Sequence, residues 1–92
     1  MIQTFRHRGL RRFHGSGSSA GIQPRDAERL RMQLAALETA HLVEDMDIPG
    51  FGLQRVKGEG RGRWSIAVEA DWLLTFGFLN GHAYAVDYED HE

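Results

Sequence analysis

The stretch Trp72-Leu73-Leu74-Thr75-Phe76-Gly77-Phe78-Leu79-Asn80-Gly81-His82-Ala83-Tyr84-Ala85-Val86-Asp87-Tyr88 decides the fold. Trp72 to Leu79 is nearly all apolar or small, the composition of a strand inside a sheet. Asn80-Gly81 lies between two apolar runs, and this dipeptide signals a tight hairpin because both residues tolerate positive φ. Ala83 to Tyr88 then closes the sheet. Alternation puts Trp72, Leu74, Phe76 and Phe78 on one face and Leu73, Thr75 and Gly77 on the other. The large apolar set belongs against helices, so Leu73 and Gly77 are expected on the open side.

Working outward, Phe51 to Val56 predicts a strand and Gly58-Glu59-Gly60 a turn. Arg63 to Ala70 predicts another strand, with Trp64, Ile66 and Val68 alternating with Ser65, Ala67 and Glu69. Further upstream, Ala27, Leu30, Leu34, Leu37 and His41 recur at three- and four-residue steps and form one face of a helix over about 25–43. Pro24 suits its first turn, Asp26 and Glu28 its positive end, and Asp47-Ile48-Pro49-Gly50 breaks it. His7 to His14 spaces Leu10 and Phe13 for a short amphipathic helix with an arginine-rich outer side. Gly15 to Gly21 forms a flexible loop, and Ile2 to Arg6 predicts a first strand. The order is strand, two helices, then four strands with short turns. It describes an α+β domain with a largely antiparallel sheet and its helices on one face.

A chain of 92 residues makes one domain, expected to span 1–92. It has no cysteine, which excludes disulfides and thiolate metal sites. Neither a signal sequence nor an apolar run of membrane-spanning length is present, so a cytoplasmic protein is expected. The net charge of −2 conceals an asymmetry. Every Lys and Arg lies at or before Arg63, whereas Glu69, Asp71, Asp87, Glu89, Asp90 and Glu92 follow. A basic face opposite an acidic corner, or plain solubilising charge, both fit this pattern.

The five histidines show no recognised ligand spacing, so no metal or other cofactor is expected. Gly58-Glu59-Gly60-Arg61-Gly62 lacks the Gly-Lys-Ser/Thr of a phosphate loop and precedes a strand, which makes it a hairpin loop. Arg55, Lys57, Arg61 and Arg63 crowd that hairpin. Such a cluster either grips phosphate or protects a sheet edge. Ser65 has no nucleophile elbow around it. Asp87 to Glu92 reads on its own as a frayed acidic end.

Several segments together resemble the HigB-type toxins, plasmid-maintenance killer proteins of the RelE superfamily. They include Ile2-Gln3-Thr4-Phe5-Arg6-His7-Arg8-Gly9-Leu10, Glu44-Asp45-Met46-Asp47-Ile48-Pro49-Gly50-Phe51, Val56-Lys57-Gly58 with Trp64-Ser65-Ile66, and Val86-Asp87-Tyr88-Glu89-Asp90. The resemblance runs end to end. It implies a RelE-like fold, a helix-turn-helix antitoxin of the HigA kind, and metal-independent cleavage of mRNA on the ribosome. In that scheme the RNA 2′-hydroxyl attacks the neighbouring phosphate while protein groups move protons and cations steady the phosphorane. Lys57 occupies the family's functional lysine position and Asp90 the acid of its C-terminal motif. His91 stands near the family's terminal histidine and titrates near neutrality. Arg8, Arg11 and Arg12 of the first helix, with Arg55, Arg61 and Arg63 of the hairpin, are expected to share one RNA-binding face.

The chain departs from that pattern at four places, one of them Gly77, where the family commonly has a basic or polar residue. Gln54 replaces a histidine, Asp90-His91-Glu92 replaces Asp-Tyr-His, and Leu73 removes an arginine of the family's active site. The departures imply an attenuated or inactive enzyme. A ParE-like gyrase poison and a catalytically dead antitoxin-binding module are the alternatives.

Overall fold

The hairpin at Asn80-Gly81 organises the rest of the molecule. The structure is a computed structural model and describes residues 1–57, 62–69 and 71–90. Asn80 and Gly81 have φ of 53° and 81°, the pair of positive values that a two-residue turn matched to strand twist requires. They join two long strands, which pair antiparallel from Leu79↔His82 to Trp72↔Asp90. Numbered in chain order, the strands are β1 (Gln54–Arg55), β2 (Arg63–Glu69), β3 (Trp72–Leu79) and β4 (His82–Asp90). The sheet runs β1-β2-β3-β4, antiparallel throughout. Asp87 to Asp90 thus belongs to β4, correcting the frayed-tail reading; pairing with Trp72 to Thr75 holds it.

One irregularity in β4 has large effects. Thr75 pairs with Asp87 but Gly77 pairs with Tyr84, so β4 carries one extra residue there. Ala85 sits in the bulge with φ of 49°. Its N–H donates to Thr4 Oγ1 at 2.8 Å. The expected first strand is here reduced to two parallel bridges, Ile2↔Ala83 and Phe5↔Val86, because the bulge interrupts the edge a continuous ladder would follow.

The helices are α1 (Arg8–Ser16) and α2 (Ala27–Thr39), with single 3₁₀ turns at Pro24–Asp26 and Val43–Met46. His7 Nδ1 caps α1 by accepting from Leu10 N–H at 2.9 Å. Helix α2 stops short of the expected residue 43. Asp45 accepts from the His41 and Leu42 N–H groups at 2.9 and 3.0 Å, giving the backbone an alternative to another helical turn. These two N–H groups hold the Asp45 carboxyl below its ordinary value of 3.8.

Both helices pack on one face of the sheet. Leu10, Phe13, Leu30, Leu34 and Leu37 meet Ile66, Val68, Leu74, Phe76 and Val86, all buried. Gln33 and Arg29 of α2 donate to the Ala67 carbonyl at 2.8 and 3.2 Å, fixing the helix against β2. Between the helices Gly9 and Gly21 touch: a Cβ on either would stand 2.9 Å from the other's Cα. Beneath them Asp26, wholly buried, accepts from the Tyr88 hydroxyl, and Tyr88 stacks on Trp72. No described helix is long and apolar enough to cross a membrane.

Candidate active site

The face of the sheet opposite the helices carries polar residues. Arg63, Ser65 and Thr75 project there from β2 and β3, and each is under a tenth exposed. Buried polar groups need hydrogen-bond partners, and this face supplies them. The Arg63 guanidinium donates to Thr75 Oγ1 at 3.0 Å, and the Thr75 hydroxyl donates in turn to the Glu89 carboxylate. Leu73 lies beside them, directly opposite Glu89 in the ladder.

The segment ahead of β2 walls this floor. Phe51 O accepts from Ala67 N–H at 2.7 Å, and Val56 N–H donates to Arg63 O at 2.9 Å. The second bond extends the short β1–β2 pairing and brings Lys57 alongside Arg63. The result is a cleft of about 740 Å³. Its walls carry Gln54, Arg55 and Lys57, and its floor carries Arg63, Ser65, Leu73, Thr75 and Glu89. Arg55 sends its guanidinium over the Trp64 ring, 5.4 Å from the centroid. Among the described residues no group of three His, Asp or Glu stands where it could hold a metal ion.

A cationic cleft on an open antiparallel sheet suits a phosphate backbone. Comparison with known proteins narrows the reading. Residues 3–92 match the family described as RelE-like toxins of the type II toxin–antitoxin system HigB. The chain belongs to the HigB-like toxins. One curated relative, endoribonuclease HigB of Proteus vulgaris, is 37% identical over 91 residues, which cover 99% of each chain.

Within this HigB-like toxin, the structure brings together Lys57, Arg55 and Arg63, with Gln54 and Leu73 also lining the cleft. The expected face for Leu73 and Thr75 is the observed one. Asp90 is not gathered in. It pairs with Trp72, whose ring lies on the helix side, and alternation turns it away from the side Glu89 faces. Among the described residues the carboxylate that lines the cleft is Glu89. Arg61 and His91 lie outside the described residues, as does the turn at 58–60.

The expected common face for the cations is corrected too. Arg8, Arg11 and Arg12 line a shallow depression on α1 with Gly15 and Ser16, and α1 packs on the helix side of the sheet. The sheet therefore separates them from Lys57. Thr75 and Glu89 are site residues that sequence reading passed over. Strand period places Thr75, but Glu89 needs the register.

Proposed function

We propose that this toxin is an endoribonuclease that cuts mRNA on the ribosome, acting as one domain over residues 1–92. Its place is the cytoplasm, and its partner a helix-turn-helix antitoxin of the HigA kind. The observation that carries this reading is the cleft itself, where Lys57 and the buried Arg63 converge on a hydrogen-bonded floor that no described helix covers. The name of the Proteus relative supports the same activity.

The proposed reaction needs no metal ion and no nucleophilic side chain. The RNA 2′-hydroxyl gives its proton to water or a cleft base, and its oxygen bonds to the adjacent phosphorus. The P–O5′ bond then breaks, leaving a 2′,3′-cyclic phosphate. The departing 5′-oxygen takes a proton from the Lys57 ammonium, which recovers one from water. Cations beside the phosphate stabilise the charge that builds on the phosphorane. Roles for Asp90 and His91 in moving these protons rest on the family resemblance alone. Gln54 cannot titrate and Leu73 carries no charge, so the proposed rate is low for the family.

The test is cleavage of an mRNA bound to ribosomes by the purified toxin, with RNA ends mapped. Lys57→Ala is expected to slow cleavage about a hundredfold, the scale for one transition-state donor. Gyrase inhibition without RNA cleavage would replace this reading with a gyrase poison. Antitoxin binding with neither activity would leave the catalytically dead module.

The arginines of α1 form a second basic surface, exposed and remote from the cleft, which we assign to ribosomal RNA. Reversing the charge of Arg11 and Arg12 should weaken cosedimentation with ribosomes, and the difference should shrink as salt rises. It should raise KM and spare kcat, because the sheet separates α1 from the reacting phosphate. Unchanged cosedimentation at low salt would overturn that assignment.

A further inference from the structure

We propose that Arg63 is the catalytic cation of this cleft, contacting a nonbridging oxygen of the scissile phosphate, and that Thr75 and Glu89 position it. The inference rests on reading the cleft as the RNA-cleaving site.

Among the described residues three cations line the cleft, and they differ in how firmly they are held. Lys57 and Arg55 are exposed, and Arg55 lies over an indole. Arg63 is only 8% exposed. Arginine is rarely buried so far without partners that repay its lost hydration. Here the partnership has a direction. A hydroxyl has one hydrogen, and that of Thr75 points to Glu89, so its lone pairs are left to receive Arg63. Carboxylate, hydroxyl and guanidinium thus form one chain with its positive end on the cleft floor.

Such a group is oriented before the substrate arrives, which is what stabilising a transient phosphorane requires. A guanidinium has five N–H donors in a rigid fork, so it can hold more than one scaffold partner and an anion together. Glu89 explains the choice of position. It faces Leu73 across the β3–β4 ladder and reaches Arg63 through Thr75. A cation delivered from position 63 therefore serves the carboxylate that an arginine at 73 would meet directly. On this reading Leu73 weakens the toxin without abolishing its activity, because the cleft still draws one fixed positive charge from β2.

The experiment is single-turnover cleavage of ribosome-bound mRNA by the intact toxin and four variants, with folding followed by circular dichroism. Arg63→Ala is expected to lose about a hundredfold in kcat with ribosome KM unchanged. Arg63→Ala combined with Leu73→Arg should return close to the parent rate, since the new fork sits opposite Glu89. Glu89→Gln keeps an acceptor for Thr75 but removes the charge, and should show a smaller loss, again in kcat. Arg63→Lys keeps the charge without the fork and should also fall in kcat; it carries the test if Arg63→Ala fails to fold. Parent-like cleavage by a folded Arg63 variant, a loss confined to KM, or no recovery in the folded double variant would each overturn the proposal. If the parent shows no cleavage at all, the reading of the cleft falls and this inference with it. A cleaving parent beside an equally active Arg63→Ala sinks the inference alone.

Discussion

Leu73→Arg should speed ribosome-dependent cleavage about a hundredfold while changing stability by no more than ~0.5 kcal/mol. Leu73 is half-buried on the cleft floor and points away from the helices, so its loss removes little packing. Glu89 lies directly across the ladder and offers an incoming guanidinium an opposite charge at sheet-pair distance. A phosphorane has two nonbridging oxygens, so an arginine at 73 can take one while Arg63 holds the other. The comparison is the parent, Leu73→Arg, and Leu73→Arg with Lys57→Ala, in one assay with thermal melts. An unfolded single variant would mean that the cleft cannot house the longer side chain. A folded but no faster one would remove position 73 from the reaction.

Tyr88→Phe should cost about 3 kcal/mol, the largest stability loss expected from deleting one atom here. The ring would keep its stacking on Trp72, 4.5 Å between centroids, so packing is spared. The cost comes from Asp26, which is wholly buried and would lose the hydroxyl that its Oδ2 accepts from. Among the described residues its other oxygen has no hydrogen bond and faces the Arg25 guanidinium, 3.6 Å away. For a chain of this size Tm should fall by roughly 15 °C. Asp26→Leu combined with Tyr88→Phe should recover most of it, because removing both partners leaves no orphaned polar atom.

The pH dependence of the same site has a definite sign. Burial, then the bond to Asp26, pushes the Tyr88 phenol above its ordinary value of 10.0. The unfolded chain releases this proton near pH 10 and the folded chain only above it. Stability is therefore full below pH 10 and is lost as pH climbs past it. Tyr88→Phe should lack that alkaline decline. If its melting curve falls in alkali as the parent's does, the phenol is not the group responsible.

The parts of this fold written in short segments were legible from sequence. Asn80-Gly81 is a local instruction, and the alternation from Trp72 to Phe78 reports its two faces directly. Lys57, Arg55 and Arg63 read as one cluster because a single hairpin carries them. Longer-range features were not legible. Counting back from the turn without a bulge would seat Tyr88 opposite Leu73 and place Asp90, not Glu89, on the cleft side. The extra residue at Ala85 reverses that, since a one-residue slip exchanges the faces of a strand. Nothing in Tyr84-Ala85-Val86 announces it, as alanine seldom adopts positive φ. The end of α2 was hidden for a similar reason: apolar spacing continues to His41, but the Asp45 carboxylate captures the next two N–H groups. The first-helix arginines look continuous with the hairpin cations as charge, and only the packing of Leu10 and Phe13 shows that a sheet lies between.

The contact between Gly9 and Gly21 has a practical consequence. It ties the far end of the Gly/Ser loop to the first turn of α1, so helix and loop close into one handle whose exposed part, past Gly17, can be altered away from the core. Ser19 is exposed on that handle, on the helix side of the sheet. Because the chain has no cysteine, Ser19→Cys would create its single thiol. A fluorophore attached there would sit across the sheet from the cleft, free to report on docking without entering the space where RNA must lie.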